Sequence, residues 1–249
     1  MLKKTLQLPH RKIAKGFSLL EMAVVLLIVS LLLGGLMVSL SQTQEMNNRT
    51  DAELKLEELL AALYGFAQAR GRLPCPATAI STGLEAPVGG STAITPCTQQ
   101  HGFIPAATLG LSGSTNANGL LTDSWLGAFR YSVSTANNNA FTSPNGMRTA
   151  TMALLTPNLR VCTAAACGTV IVSNVPVVLI SLGADWVTFT GANVDETENS
   201  GEVTINGFRH GNDNDFVSTG YIEDTYDDLI TWISPNVLYT RLIAAGQLP

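Results

Sequence analysis

The sequence predicts an α+β protein: one long N-terminal helix packed on an antiparallel sheet, closed by a short C-terminal helix. Three observations carry this. A helical pattern starts at Phe17 and continues to about Gly71, far beyond an ordinary helix. Runs rich in β-branched and aromatic residues then succeed one another between residues 129 and 205. Near the end, Ser234-Pro235 forms an N-cap signal, Leu238, Leu242 and Ala245 share a face, and Gly246 closes the pattern.

The first helix divides in two by composition. Met22 to Leu40 carries no charge over 19 residues, which at 1.5 Å per residue spans roughly 28 Å, one bilayer core. Leu56, Leu59, Leu60, Leu63 and Ala67 then lie along one helix face, with Glu53, Lys55, Glu57, Glu58 and Arg70 elsewhere. Pro74 lies just past the expected end at Gly71. Gly34-Gly35 sit mid-span as a weak point. The expected divisions are a leader over 1–16, an apolar half-helix over 17–43, an amphipathic half over 44–71 and a globular domain over 72–249.

In the domain, residues 72–125 are rich in Gly, Pro, Thr, Ala and Ser and suggest loops. Strands are expected at Phe129–Ser134, Ala150–Thr156, Thr169–Ser173, Val177–Leu182, Trp186–Thr190 and Glu202–Ile205. Trp186, Trp232 and Phe189 read as core or interface residues. No internal repeat is visible.

Composition narrows the function. Only 13% of residues are charged, about half the usual globular share of roughly 25%. Five of the 14 basic residues, Lys3, Lys4, Arg11, Lys12 and Lys15, lie in the first sixteen positions without an acid, which leaves nine basic against 19 acidic residues after them. So acidic a chain is a poor nucleic-acid binder. The basic leader stays cytoplasmic by the positive-inside rule and sends the residues after Leu40 across the membrane. Four cysteines fit an oxidising compartment, with Cys75–Cys97 and Cys162–Cys167 as the expected pairs among three connectivities. Zinc would want CxxC pairs, which are absent.

Glu21 is the odd residue. A secretory signal would have a shorter apolar run and a small-x-small cleavage site, and a lipoprotein signal a cysteine. A plain anchor has no use for a carboxylate at the mouth of its apolar run. Lys15-Gly16-Phe17-Ser18-Leu19-Leu20-Glu21, leading straight into that run, resembles the leader of type IV prepilins and type II secretion pseudopilins. The resemblance implies a pilin-like fold, and cleavage by a prepilin peptidase after Gly16 with N-methylation of the new N-terminal Phe17. It also implies that Glu21 pairs with the amine of a neighbouring subunit during assembly. An unpaired buried carboxylate costs several kcal/mol, so only the correct axial offset is accepted.

The implied partners are other pilin or pseudopilin subunits, the peptidase and an inner-membrane assembly platform. The implied location is the bacterial inner membrane, single-pass, with a cytoplasmic N-terminus and a periplasmic domain, and afterwards a filament that reaches the cell surface in the pilus case. Asp123 to Tyr131 is similar to the D-P-W-G-x-P-Y-x-Y stretch of major pseudopilins, but lacks both prolines and has the glycine shifted by one. It reads as a turn entering a strand, with aromatics packed on the helix.

The same resemblance extends to metal. Ten of the 19 acids fall between Asp195 and Asp228, and hard cations take six to eight oxygens. Major pseudopilins hold a structural calcium just ahead of an apolar-Trp stretch, which Asp227-Asp228-Leu229-Ile230-Thr231-Trp232 resembles. The expected ligands are Asp213, Asp215, Asp224 and Asp228, against a solvated acidic loop or turn-capping aspartates. No cofactor is otherwise required.

Enzymatic motifs are missing. His101 and His210 neighbour no nucleophile, Ser181-Leu182-Gly183 lacks the G-x-S-x-G elbow, and no phosphate loop comes after a strand. The expectation is a non-enzymatic filament subunit, a minor pilin or pseudopilin involved in secretion, or in adhesion, motility or DNA uptake. The alternative is a non-polymerising, membrane-anchored binding domain.

Overall fold

The computed structural model describes residues 16–187, 193–200, 203–204, 207–208, 214–222 and 225–249, with no side chains described for 33–41, 203–204 or 207–208. The chain divides into an N-terminal unit ending at Met46 and a larger unit from Asn47 to Pro249.

Helix α1 runs from Leu19 to Arg70. It stops because Gly71 takes φ +67° while its amide still bonds Ala67 O at 2.8 Å, a backbone that a side chain would strain. The larger unit continues with β1 (His101–Phe103), α2 (Ala106–Leu109), β2 (Arg130–Val133), α3 (Ala136–Asn139) and α4 (Gly146–Ala150). Then come β3 (Leu159–Cys162), β4 (Val170–Val175), β5 (Val177–Ser181), α5 (Val194–Ser200), β6 (Val203–Thr204) and β7 (Gly207–Phe208). The last elements are β8 (Asp215–Val217), β9 (Leu229–Ile233) and α6 (Pro235–Ala244).

The α+β arrangement and the short C-terminal helix are present. Strands pair β1-β2-β5-β9, all antiparallel. A second sheet pairs β4-β3-β8, with β3 and β8 parallel. Side chains alternate across a strand, so β2, β5 and β9 each turn one set toward α1. Tyr131, Val133, Val177, Leu179, Leu229 and Ile233 form one core with Leu56, Leu59, Leu63 and Ala67 of α1 and with Leu238 and Leu242 of α6. The opposite set, Val178 and Ile180, packs with Leu159, Val161 and Phe216 of the second sheet. β5 is therefore buried at every position.

The loop after α1 is rigidly held. Arg72 donates to both Glu85 oxygens at 2.8 and 2.7 Å, and Glu85 also accepts from the Cys75 and Gly89 amides. Disulfides join Cys75 to Cys97 and Cys162 to Cys167. At the far end, Gln247 Nε2 donates to Gln68 O, joining the C-terminus to the last turn of α1.

Several local expectations fail. Ala150–Thr156 forms no strand: Asn137 Nδ2 donates to Leu154 O and Asn137 Oδ1 accepts from the Thr156 amide, so a side chain takes the place of a neighbouring strand. Trp186 lies in a turn, and residues 188–190 of the strand expected there, with Phe189, lie outside the described residues. Of the run Glu202–Ile205, Val203–Thr204 forms β6, and residues 202 and 205 lie outside the described residues. Ser234 occupies the N-cap of α6, yet its hydroxyl makes no capping bond; Pro235 at the first turn sets the start instead. Conversely, β1, β3, β8 and β9 match none of the expected runs; they are short or continuously apolar.

Candidate functional site

The N-terminal unit starts with a reciprocal pair. Ser18 N–H donates to Glu21 Oε2 at 2.9 Å, and Glu21 N–H donates to Ser18 Oγ at 3.2 Å. This is a capping box: two of the amides a helix start leaves without a partner are satisfied by side chains. The S-x-x-E spacing was the available sequence signal. Gly16, Phe17 and Glu21 are exposed, and a Cβ on Gly16 would meet nothing within 4 Å.

Beyond the cap the helix shows apolar surface. Phe17, Leu19, Leu20, Leu26, Leu31 and Leu32 are each more than 60% exposed. Contiguous apolar surface of this kind is covered by something in a working protein. Among the described residues no helix is long and apolar enough to cross a membrane. The apolar run of the sequence continues through residues 33–41, whose side chains are not described.

Helix α1, its carboxylate at the first turn and the domain packed on its second half define a class: an α+β chain carried by an exposed apolar helix. Residues 11–37 match the family described as the prokaryotic N-terminal methylation motif, which supports the type IV pilin and pseudopilin family. That motif implies processing by a peptidase, a membrane-anchored N-terminal segment and assembly with other pilin subunits, and its family is structural. No curated protein and no solved structure matches the chain.

The Asp123–Tyr131 stretch is a fold element. Asp123 Oδ1 accepts from the Trp125 and Gly127 amides and Oδ2 from Ser181 Oγ, which turns the chain into β2. Phe129 and Tyr131 are fully buried against α1, and Tyr131 O–H donates to Pro74 O.

Of the four expected metal ligands, Asp215 and Asp228 are described. Asp213 and Asp224 lie outside the described residues. Asp215, in β8, is held by both nitrogens of an Arg160 fork and so is already neutralised. Asp228 is buried, accepts from Asn199 Nδ2 at 2.7 Å, and its Oδ1 has no hydrogen-bond partner among the described residues.

A different trio converges: oxygens of Asp185, Glu196 and Asp227 all lie within 4.8 Å of one another. Asp227 Oδ2 accepts from the Ala184 amide, and the Asp227 amide donates to Glu196 Oε1. Gly183, at φ +65°, leaves room for the Asp227 carboxyl, since a Cβ there would overlap it. Burial, with Asp185 and Asp227 beside it, pushes Glu196 up to about 7. Burial likewise raises Asp185 and Asp228. Glu196 was hidden among ten acids and Asp185 in a strand-end turn, so only tertiary structure reveals the trio.

His101 Nδ1 and Ser132 Oγ share a hydrogen bond of 2.9 Å, and His210 lies outside the described residues.

Proposed function

We propose that this protein is a structural subunit of a type IV pilus-type filament, a minor pilin or a pseudopilin with a pilin-like fold. Prepilin peptidase cleaves it after Gly16 and methylates Phe17. The subunit waits in the inner membrane with its domain in the periplasm, until an assembly platform draws α1 into a filament. There Glu21 pairs with the Phe17 amine of a neighbour, and the apolar residues of α1 exchange lipid for sister helices.

The observation that supports this best is the pairing of an exposed apolar helix with one carboxylate, Glu21, inside residues 11–37. Replacing Glu21 with alanine tests it. Filament incorporation should be lost while cleavage persists; normal incorporation would overturn the registration role and favour a plain anchored domain.

Calcium also belongs to this reading, with an altered ligand set. Asp185, Glu196 and Asp227 offer oxygen-only ligands suited to a hard cation. Neutralising their mutual repulsion is the chemistry a bound calcium would supply, fixing α5 to the loops before β9 and after β5.

A further inference from the structure

A cavity of about 670 Å³ opens in the larger unit. Small-ligand sites run from about 300 to 1,000 Å³. The described part of its lining holds no charge for a ligand to pair with. Arg130 borders it, but the guanidinium lies 4.6 Å over the Phe103 ring, its Nε and Nη2 are enclosed, and its charge faces buried Asp228. One wall is the half-buried indole of Trp186. Its Nε1 donates to Trp125 O, and its ring packs on Gly127, where a Cβ would come within 3.1 Å.

Three uncharged polar side chains border the cavity as well. Thr78 is nearly buried; its amide donates to Ser81 Oγ and its carbonyl accepts from it, but its hydroxyl has no hydrogen-bond partner among the described residues. The Gln99 carboxamide has none there either, and it lies over Gly102, where a Cβ would come within 3.0 Å of its Oε1. Asn116 uses its Oδ1 for the Asn118 and Leu120 amides, which leaves its NH₂ without a partner among the described residues.

We propose that this cavity binds an uncharged pyranose sugar. A pyranose has an apolar C–H face and a rim of hydroxyls, and the cavity has a counterpart for each. The electron-rich indole face attracts the C–H face. Ring hydroxyls both donate and accept, as do the Thr78 hydroxyl and the Gln99 carboxamide, while the Asn116 NH₂ donates. A charged ligand would lose hydration without gaining a counter-ion. A wholly apolar ligand would leave Thr78, Gln99 and Asn116 cut off from water and unpaired, which costs affinity. The groups are held before any ligand arrives, so little ordering opposes binding: the Cys75–Cys97 disulfide and the Arg72–Glu85 pair anchor the loops bearing Thr78 and Gln99, and Asn116 closes its own turn. The site does not depend on filament assembly.

Calorimetric titration of the full chain, in micelles of a detergent without a sugar headgroup, tests this. The neutral probes are methyl glucoside, methyl galactoside and methyl mannoside; glucuronate and cyclohexanol are the charged and apolar controls. At least one glycoside should bind about tenfold more tightly than either control. Thr78→Val removes the hydroxyl at constant shape, Asn116→Asp keeps the acceptor for both amides but removes the NH₂, and Trp186→Leu removes the aromatic wall. Each should weaken that glycoside several-fold, with intact disulfides and an unchanged melting temperature as the folding control. Binding of glucuronate as tight as that of the best glycoside overturns the uncharged class, and equal binding of cyclohexanol overturns the sugar. Unchanged affinity in all three variants, or no heat with any glycoside at about 20 mM, overturns the site altogether.

Discussion

Ser18 and Glu21 hold each other across the first turn of α1, each backbone amide donating to the other's side chain. Glu21 thus has a partner within its own chain, and the proposed filament would exchange that partner for the Phe17 amine of a neighbour. Glu21→Gln separates the two roles, since glutamine still serves a capping box. The variant should keep α1 intact and be cleaved normally, yet fail to enter filaments. Filament yields equal to wild type on immunoblots of sheared fractions would remove the need for charge.

Gly16 has open space around its Cα, so a larger residue there disturbs nothing in the fold. Gly16→Leu should leave both disulfides and thermal stability unchanged while the leader is retained. Mass spectrometry of the intact chain reads the outcome, and a mature, methylated Phe17 in that variant would refute the assigned cleavage point.

Calcium should raise the melting temperature of the full chain, and chelator should reverse it, because a ligand bound only to the folded form stabilises it. Asp227→Asn should abolish the shift and Asp215→Asn should not, since Asp215 is committed to Arg160. No shift at millimolar calcium, or loss of it in both variants, would refute the trio as the site.

In chelator, stability should fall as pH rises from about 4.5 to about 7. Glu196 in the fold titrates near 7 against an ordinary 4.5, so over that window the folded chain holds a proton the unfolded chain has released. Glu196→Gln should flatten this slope. Melting curves between pH 4.5 and 8 provide the measurement, and an unchanged slope in the variant would place the effect elsewhere.

Arg72 and Glu85 are both buried and bonded twice to each other. Arg72→Ala leaves a buried carboxylate without its cation, a loss of about 3–5 kcal/mol. Denaturant unfolding should show it, and a change below about 1 kcal/mol would mean the pair behaves as a surface contact.

The long helix, its buried face and the main strands were legible because each rests on local periodicity. Leu56, Leu59, Leu63 and Ala67 announce their burial by spacing alone, and Val177–Ile180 by its unbroken apolar run. Asn137 was not legible: nothing local says that its carboxamide will occupy the place of a strand beside Leu154 and Thr156. The surroundings of the acidic residues were hidden for the same reason. Asp215 looked free until β3 brought Arg160 beside it, whereas Asp185 and Glu196 meet each other and Asp227 only in the fold.

β5 contributes one face to each of two cores. Neither sheet can peel away without stripping the other's wall, so the domain has no half-open form to offer. To a protease, or to a force applied through α1, it yields as one cooperative block or not at all.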